Sequence, residues 1–317
     1  MTRNRPTVVF SGPAHSAEIA REILEPDYQL IAIEPELESL APAFRNCTVF
    51  LDASMKVPIS AQLITEAKQL KLVVTATTGA THIDQQALEQ RNIPLLTLKG
   101  QTELLRGLTP AAELSWALVM ACARHLRGAL KHVESGGWER TQFPGLMLKG
   151  RTLGLIGIGR IGGWMARYGH AFGMDVVFHD PYQESVPEYA KSVSLDKLAS
   201  MADVISLHLH VTDETKGIIN SSLIERFKEG AILINSSRGE LCDEPAVVEG
   251  LKSGRIGALG VDVLMGEPEV EKNPIWQYAQ DHDNVVITPH IGGFCPDAVD
   301  KVVAFSAKRI REQLEQR

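Results

Sequence analysis

The chain has 317 residues, 44% of them hydrophobic and 22% charged, with a formal net charge of −7. That length suits two domains of ordinary size, and the acidic balance argues against a nucleic-acid binder, which presents a basic face. The longest apolar stretch, around LSWALVMACA, is too short for a membrane span, and the apolar run after MTRNR is too short for a signal peptide.

The first hundred residues alternate short apolar runs with helix-like segments. Strands are expected at 7–10, 28–33, 47–51, 71–76 and 93–98, with helices such as 15–24 and 60–70 between them. This alternation predicts a parallel sheet with helices on both faces. One long helix is expected over 110–133, opened by Pro110 and stopped before Gly136-Gly137. A second series follows, with strands at 152–158, 175–180, 204–211, 231–237, 258–264 and 284–289. Helices are expected near 161–172, 195–200, 220–228 and 244–253, and an amphipathic helix over about 297–315 ends the chain. The expected class is α/β, with two doubly wound parallel-sheet domains and a boundary near residue 100. Cys47, Cys122, Cys242 and Cys295 form no C-x-x-C pair. They predict no metal site, and reduced thiols in a cytoplasmic compartment.

The most informative stretch is LGLIGIGRIGGWMARYGHAFGMDVVFHDP, residues 153–181. A buried-strand pattern precedes Gly157, Gly159 and Gly162, a helix pattern follows, and Asp180 closes the next strand. This is the context a dinucleotide site requires. Gly157 permits the turn, Gly159 lets backbone approach a pyrophosphate, and Gly162 lets helix and strand pack closely. The helix N-terminus then offers free N–H groups and a positive dipole end to the phosphates. Asp180 can accept from a ribose 2′-hydroxyl but repels a 2′-phosphate, and no base follows it in DPYQES. NAD is therefore expected rather than NADP.

Three later strands each lead into one suggestive polar residue: Arg238 in AILINSSRGELCDE, Glu267 in ALGVDVLMGEP and His290 in NVVITPHIGG. Ligands of doubly wound sheets bind at the carboxyl ends of strands, so the three can converge beside a nicotinamide. Taken singly they are equally an ion pair, a turn residue and a cap.

The ordered set GRTLGLIGIGRIG, INSSRGELCDEPAVVEGLKSGRIGALGVDV, GEP and TPHIGG resembles the D-isomer-specific 2-hydroxyacid dehydrogenases over nearly the whole chain. The resemblance implies hydride transfer between NAD(H) and a small 2-hydroxyacid or 2-oxoacid. Arg238 would hold the substrate's carboxylate and 2-oxo oxygen, His290 would move the hydroxyl proton, and Glu267 would orient His290 and raise its pKa. It further implies that Asp262 bonds the nicotinamide carboxamide and that Arg160 and Ile161 lie at the pyrophosphate turn. Ser236 and Ser237 would line the cofactor through backbone groups, and His210, Thr215 and Gly292 would complete its surroundings. The amides of Thr78, Gly79 and Ala80, in TATTGATHID, would take the substrate carboxylate. Residues 290–317 would rejoin 1–99 as a substrate-binding domain, leaving 100–289 as the NAD-binding domain and a cleft between them. The family also implies a homodimer, formed through the cofactor domain and the helix after Pro110.

Some positions depart from the family. His210 stands where proline is usual, and Cys295 and Pro296 stand where threonine and glutamate are commoner. His82 and His208 are read as loop histidines without a catalytic role. LKGQTELLRGLTPAAEL (98–114) resembles the phosphoglycerate dehydrogenase branch. That branch places arginines where this chain has Asp52 and Thr75, so a substrate without phosphate is expected, with Asp52 repelling a dianion; the alternatives are that Asp52 points away from the cleft or that Lys56 or Lys99 compensates. The alternative from another class is an NAD-sensing regulatory protein on the same fold.

Overall fold

The computed structural model describes residues 5–25, 27–183 and 186–315. Outside these lie residues 1–4, 26 and 316–317 of the expected substrate domain, and Glu184 and Ser185 of DPYQES. The chain divides into two compact units, one running to Leu108 and resuming at Phe294, the other spanning Thr109–Gly293.

The first unit runs β1 (Thr7–Ser11), α1 (Ala14–Leu24), β2 (Gln29–Ile33), α2 (Leu37–Arg45), β3 (Val49–Asp52), α3 (Ala61–Glu66), β4 (Leu72–Thr75), α4 (Gln85–Gln90), β5 (Leu95–Leu96) and α5 (Thr102–Arg106). All strand pairs are parallel, in the order β2-β1-β3-β4-β5. The period-2 geometry of a strand sends alternate side chains to opposite faces. Val8, Phe10 and Leu51 thus pack under α1, while Val9, Phe50 and Val73 pack with Phe44, Ile64 and Leu88 on the other face. Both faces are covered, as an all-parallel sheet requires.

The second unit opens with α6 (Pro110–Ala123) and α7 (Leu126–Glu134). There follow β6 (Thr152–Ile156), α8 (Arg160–Ala171), β7 (Asp175–His179), β8 (Ala190–Ser192), α9 (Leu195–Met201), β9 (Val204–Leu207) and α10 (Ser221–Ile224). It closes with β10 (Ala231–Asn235), α11 (Glu244–Lys252), β11 (Ile256–Val261), α12 (Pro274–Asp281) and β12 (Val285–Ile287). The seven parallel strands lie in the order β12-β11-β10-β9-β6-β7-β8. Strand order reverses at β6, so the loops after β6 and β9 flank the crevice where such sheets bind ligands. The last helix, α13 (Pro296–Glu315), belongs to the first unit, where Val299, Val303, Ala307 and Ile310 join the core beneath α1.

Three sequence expectations need correction. The single helix over 110–133 is two helices, because His125 takes a left-handed conformation (φ 51°) that ends α6 and starts α7. The strand expected to reach residue 211 stops at Leu207, where the chain turns under the glycine loop. The units change over at 108/109 and 293/294 rather than at 99/100 and 289/290. Leu104, Leu105 and Leu108 pack on the first core, and Ile291 and Gly292 are hydrogen-bonded to Asp262 in the second unit. Among the described residues no helix is long and apolar enough to cross a membrane.

Candidate active site

The glycine loop follows β6. Gly157 has φ 90°, and a Cβ there would stand 2.4 Å from the His208 carbonyl oxygen. A Cβ on Gly162 would stand 2.3 Å from the Gly157 carbonyl oxygen, so α8 and β6 approach closely only because this residue is glycine. Gly159 caps the N-terminus of α8, and a Cβ on it would meet nothing within 4 Å. Two glycines are thus needed by the protein's own packing, while the third leaves open space at the mouth of a twelve-residue helix that starts at Arg160 and Ile161. This cradle fits the pyrophosphate of a dinucleotide.

Asp180, just beyond β7, accepts from the Ile158 amide at 2.9 Å and the Tyr182 amide at 3.0 Å. Its carboxylate therefore ties the glycine loop to the loop expected to hold the adenosine ribose. Beneath that loop, His208 bonds Ser206 Oγ through Nε2 at 2.9 Å, and its buried Nδ1 has no partner. Burial pushes its pKa down to about 3, which favours the neutral ring.

Glu267 and His290 come together from the ends of two different strands. Glu267 Oε1 lies 2.6 Å from His290 Nδ1, and its other oxygen takes the Leu264 amide at 3.4 Å. The Glu267 contact raises the His290 pKa, against the lowering effects of burial and of the nearby Arg238 cation. Arg238, half-buried after β10, donates from Nη1 to the Ser237 carbonyl at 2.7 Å. Asn235, buried at the end of β10, accepts from the Ser237 amide and donates to the Arg238 carbonyl, fixing that turn. The three expected catalytic side chains are therefore close enough to act electrostatically on one another.

Asp262 is buried, and its carboxylate already accepts from Thr288 Oγ1 at 2.6 Å, the Ile291 amide at 2.9 Å and the Gly292 amide at 2.8 Å. A carboxylate has about four lone-pair sites. One is left for a carboxamide N–H, and most of what Asp262 does is to hold the turn that carries His290. Gly292 is buried within that turn, where its Cβ would press to 2.9 Å from Asp262 Oδ2.

The other expected cofactor residues surround the same strand ends. Ser236 Oγ bonds Ser115 Oγ of α6 at 2.6 Å, and Ser237 Oγ donates to the Leu207 carbonyl at 2.7 Å. Both side chains are engaged with protein, consistent with backbone roles. Thr215 Oγ1 donates to the His210 carbonyl at 2.7 Å, which closes that loop on itself and leaves the His210 ring exposed.

In the first unit, the loop after β4 carries Thr78, Gly79 and Ala80. Thr77 Oγ1 donates to the Gly79 carbonyl at 2.6 Å and also bonds Thr75 Oγ1 at 2.7 Å, which shapes the loop. The expectation for Asp52 is corrected. It is 3% exposed, and its carboxylate accepts from the Ser54 amide and hydroxyl, the Met55 amide and His82 Nε2 at 2.8–3.1 Å. It is directed into its own loop and is not a free charge facing a ligand.

Sequence reading singled out none of Asn235, Glu244, Asn273 and Thr288, although all four shape this site. For Asn235 there was one signal, a polar residue closing an otherwise apolar strand.

Comparison with known proteins agrees with this geometry. Residues 116–292 match the NAD binding domain of the D-isomer specific 2-hydroxyacid dehydrogenases, and residues 8–103 match the catalytic domain of the same family. The chain belongs to that family. It is 35% identical to the hydroxypyruvate reductase of Thermotoga maritima over 297 residues, covering 94% of this chain and 91% of the relative. It is 36% identical to the D-3-phosphoglycerate dehydrogenase of Archaeoglobus fulgidus over 76% of this chain but only 44% of that protein, so it spans about half the length of such relatives. Among solved structures, the TT0316 protein of Thermus thermophilus superposes with a TM-score of 0.84 at 30% identity, covering 98% of this chain and 97% of that one. The D-lactate dehydrogenase of Aquifex aeolicus, solved with NAD and lactic acid, gives 0.81 at 26% identity over 98% and 96% of the two chains. These likenesses support an oxidoreductase with an NAD-binding Rossmann domain. They give no support to the regulatory alternative.

Proposed function

We propose that this dehydrogenase interconverts a small, unphosphorylated 2-oxoacid and its 2-hydroxyacid, with NAD preferred over NADP. The observation that carries the reading is the 2.6 Å contact between His290 Nδ1 and Glu267 Oε1, with the Arg238 cation nearby. Glu267 accepts a hydrogen bond from Nδ1–H, so the neutral ring keeps that proton and presents its lone pair at Nε2. In oxidation Nε2 takes the hydroxyl proton, and in reduction it returns that proton to the 2-oxo oxygen. The nicotinamide, when bound, supplies or accepts the hydride at substrate C2. Arg238 offers forked donors to the substrate's carboxylate and 2-oxo oxygen. The backbone at Thr78, Gly79 and Ala80 is assigned to the carboxylate. Gly157, Gly159, Arg160, Ile161 and Gly162 are assigned to the pyrophosphate, and Asp180 to the ribose.

An unphosphorylated substrate is favoured by two positions at the ends of β3 and β4, although Lys56 lies in the loop after β3. Asp52 and Thr75 supply no cation there, and both are buried and hydrogen-bonded. A phosphate dianion needs cationic forks or a helix terminus. The test compares glyoxylate, pyruvate, hydroxypyruvate and phosphohydroxypyruvate as NADH-dependent substrates. Hydroxypyruvate or a smaller 2-oxoacid is expected to give the highest kcat/KM. A higher value for the phosphorylated compound overturns the assignment.

We further infer a homodimer formed through α6 and α7. Leu126, Leu130 and Val133 recur at helical spacing on α7 and are 43%, 61% and 52% exposed, with Trp138 at 89% and Met147 at 73% nearby in sequence. An exposed apolar stripe such as Leu126, Leu130 and Val133 is expected to be covered by a partner. The unpaired cysteines, three of them buried, agree with a reducing, cytoplasmic location.

A further inference from the structure

Glu244 is the first residue of α11 and is 3% exposed. The preceding Asp243 already caps that helix by accepting from the Ala246 amide, so Glu244 is not needed as a cap. Its Oε1 instead accepts from the Met265 amide at 2.8 Å, and its Oε2 from Asn273 Nδ2 at 2.6 Å. Asn273, 6% exposed, also donates from Nδ2 to the Met265 carbonyl at 3.0 Å. The peptide groups on both sides of Met265 are thus held by two buried side chains from other parts of the chain. The backbone of Leu264 and Met265 is pressed from a third side by Gly239, whose Cβ would fall 2.4 Å from the Met265 nitrogen.

Met265 lies two residues before Glu267, and Glu267 closes the same turn by accepting from the Leu264 amide. The side chain that must meet His290 therefore stands on a turn whose Met265 amide is fixed by Glu244 and whose Met265 carbonyl is fixed by Asn273. We propose that Glu244 and Asn273 are positioning residues that hold Glu267 against His290 and so set the proton-transfer step. This rests on the acid–base reading of His290 above. Neither residue touches His290. The charged groups acting on His290 are Glu267, Arg238 and Asp262. Those facing Glu244 are Glu240 and Glu267, whose charges add to burial in raising its pKa against the two donors it accepts from. An effect of Glu244 on His290 must pass through the placement of Glu267. Holding a buried carboxylate here costs desolvation, which its two donors and the N-terminus of α11 offset.

The test uses Asn273→Ser and Glu244→Gln in the full-length protein. Serine keeps the cap that Asn273 provides to the Ile275 and Trp276 amides, because its hydroxyl accepts from the same positions, but it removes both Nδ2 bonds. Glutamine keeps an acceptor for the Met265 amide and sets its own amide against Asn273 Nδ2. Oxidation of the hydroxyacid that the wild type accepts is followed against pH, using the C2-deuterated substrate to confirm that hydride transfer limits the rate. Glu267→Gln and its double variant with Asn273→Ser are measured beside them. Both single variants are expected to move the acid limb to lower pH and to lower the plateau kcat by about 10- to 100-fold with little change in KM. In the Glu267→Gln background, Asn273→Ser should add no further shift. An unmoved limb in folded Asn273→Ser, with only a lower melting temperature, overturns the proposal and leaves the pair purely structural. If Glu244→Gln does not fold, Asn273→Ser decides alone. A wild type without turnover, or a limb that Glu267→Gln leaves in place, overturns the acid–base reading itself and the proposal with it.

Discussion

Asp262 holds the backbone of His290 from two directions. Its carbonyl accepts the His290 amide at 2.9 Å, while its carboxylate accepts the Ile291 and Gly292 amides just beyond. His290 needs this support because its φ of 53° is left-handed, at a cost of about 1–3 kcal/mol for a residue with a Cβ. Hydrogen bonds to a charged acceptor contribute about 1.5–3 kcal/mol each, enough to offset that strain.

Removing this acceptor should therefore destabilise the protein as well as slow it. Asp262→Ala strands the Thr288 hydroxyl and the Ile291 amide in a part-buried place and the Gly292 amide in a buried one, and should cost at least about 2 kcal/mol in urea unfolding. Asp262→Asn keeps one acceptor oxygen and should cost less. Equal, negligible losses in both would show that the turn holds itself.

The pH dependence follows from the Glu267 contact. Glu267 raises the His290 pKa, so the imidazole is protonated below that raised value and neutral above it. Oxidation needs the neutral ring, and its rate should climb as pH rises through this pKa. Glu267→Gln removes the carboxylate that favours the cation. The acid limb of oxidation and the basic limb of reduction should then both move to lower pH. Profiles that superpose with wild type, with hydride transfer limiting, would remove Glu267 from this role.

Cofactor choice is assigned to Asp180. A 2′-phosphate would meet a carboxylate already fixed by the Ile158 and Tyr182 amides and unable to swing away freely. The wild type should favour NADH over NADPH in kcat/KM. Asp180→Ala should narrow that ratio by at least about tenfold, or 1.4 kcal/mol, while also weakening NADH use because the glycine loop loses an anchor. A wild-type preference for NADPH would contradict the assignment.

Association through α7 can be tested at its most exposed apolar position. Leu130→Glu places a charge on the face shared with Leu126 and Val133. Light scattering at micromolar concentration should give a mass near twice 34.7 kDa for the wild type and a single-chain mass for the variant. A wild-type monomer would refute the homodimer.

Much of this architecture was legible in the sequence, because buried parallel strands and the glycine spacing leave strong local patterns. Val8 to Phe10 and Leu153 to Ile156 read as strands since both faces are covered. The break at His125 was not legible, for no glycine or proline marks it and the flanking residues continue a helical pattern. Helix α12 was missed although Asn273-Pro274 is a good start signal, an N-cap followed by proline in the first turn. The directions of side chains left no trace. Asp52 reads as a charge at a strand end and folds into its own loop, and Asp262 reads as a cofactor contact and mainly braces the His290 turn. Glu244 and Asn273 meet across 29 positions, a pairing no local pattern encodes.

His290 is assigned the proton in a hydride-transfer reaction on a 2-oxoacid. The most direct measurement is the turnover of His290→Asn with NADH and the best 2-oxoacid, set beside NADH binding followed by fluorescence. A loss of about 10²- to 10⁴-fold in kcat with NADH affinity nearly unchanged is expected. Turnover close to wild type in that variant would contradict that assignment.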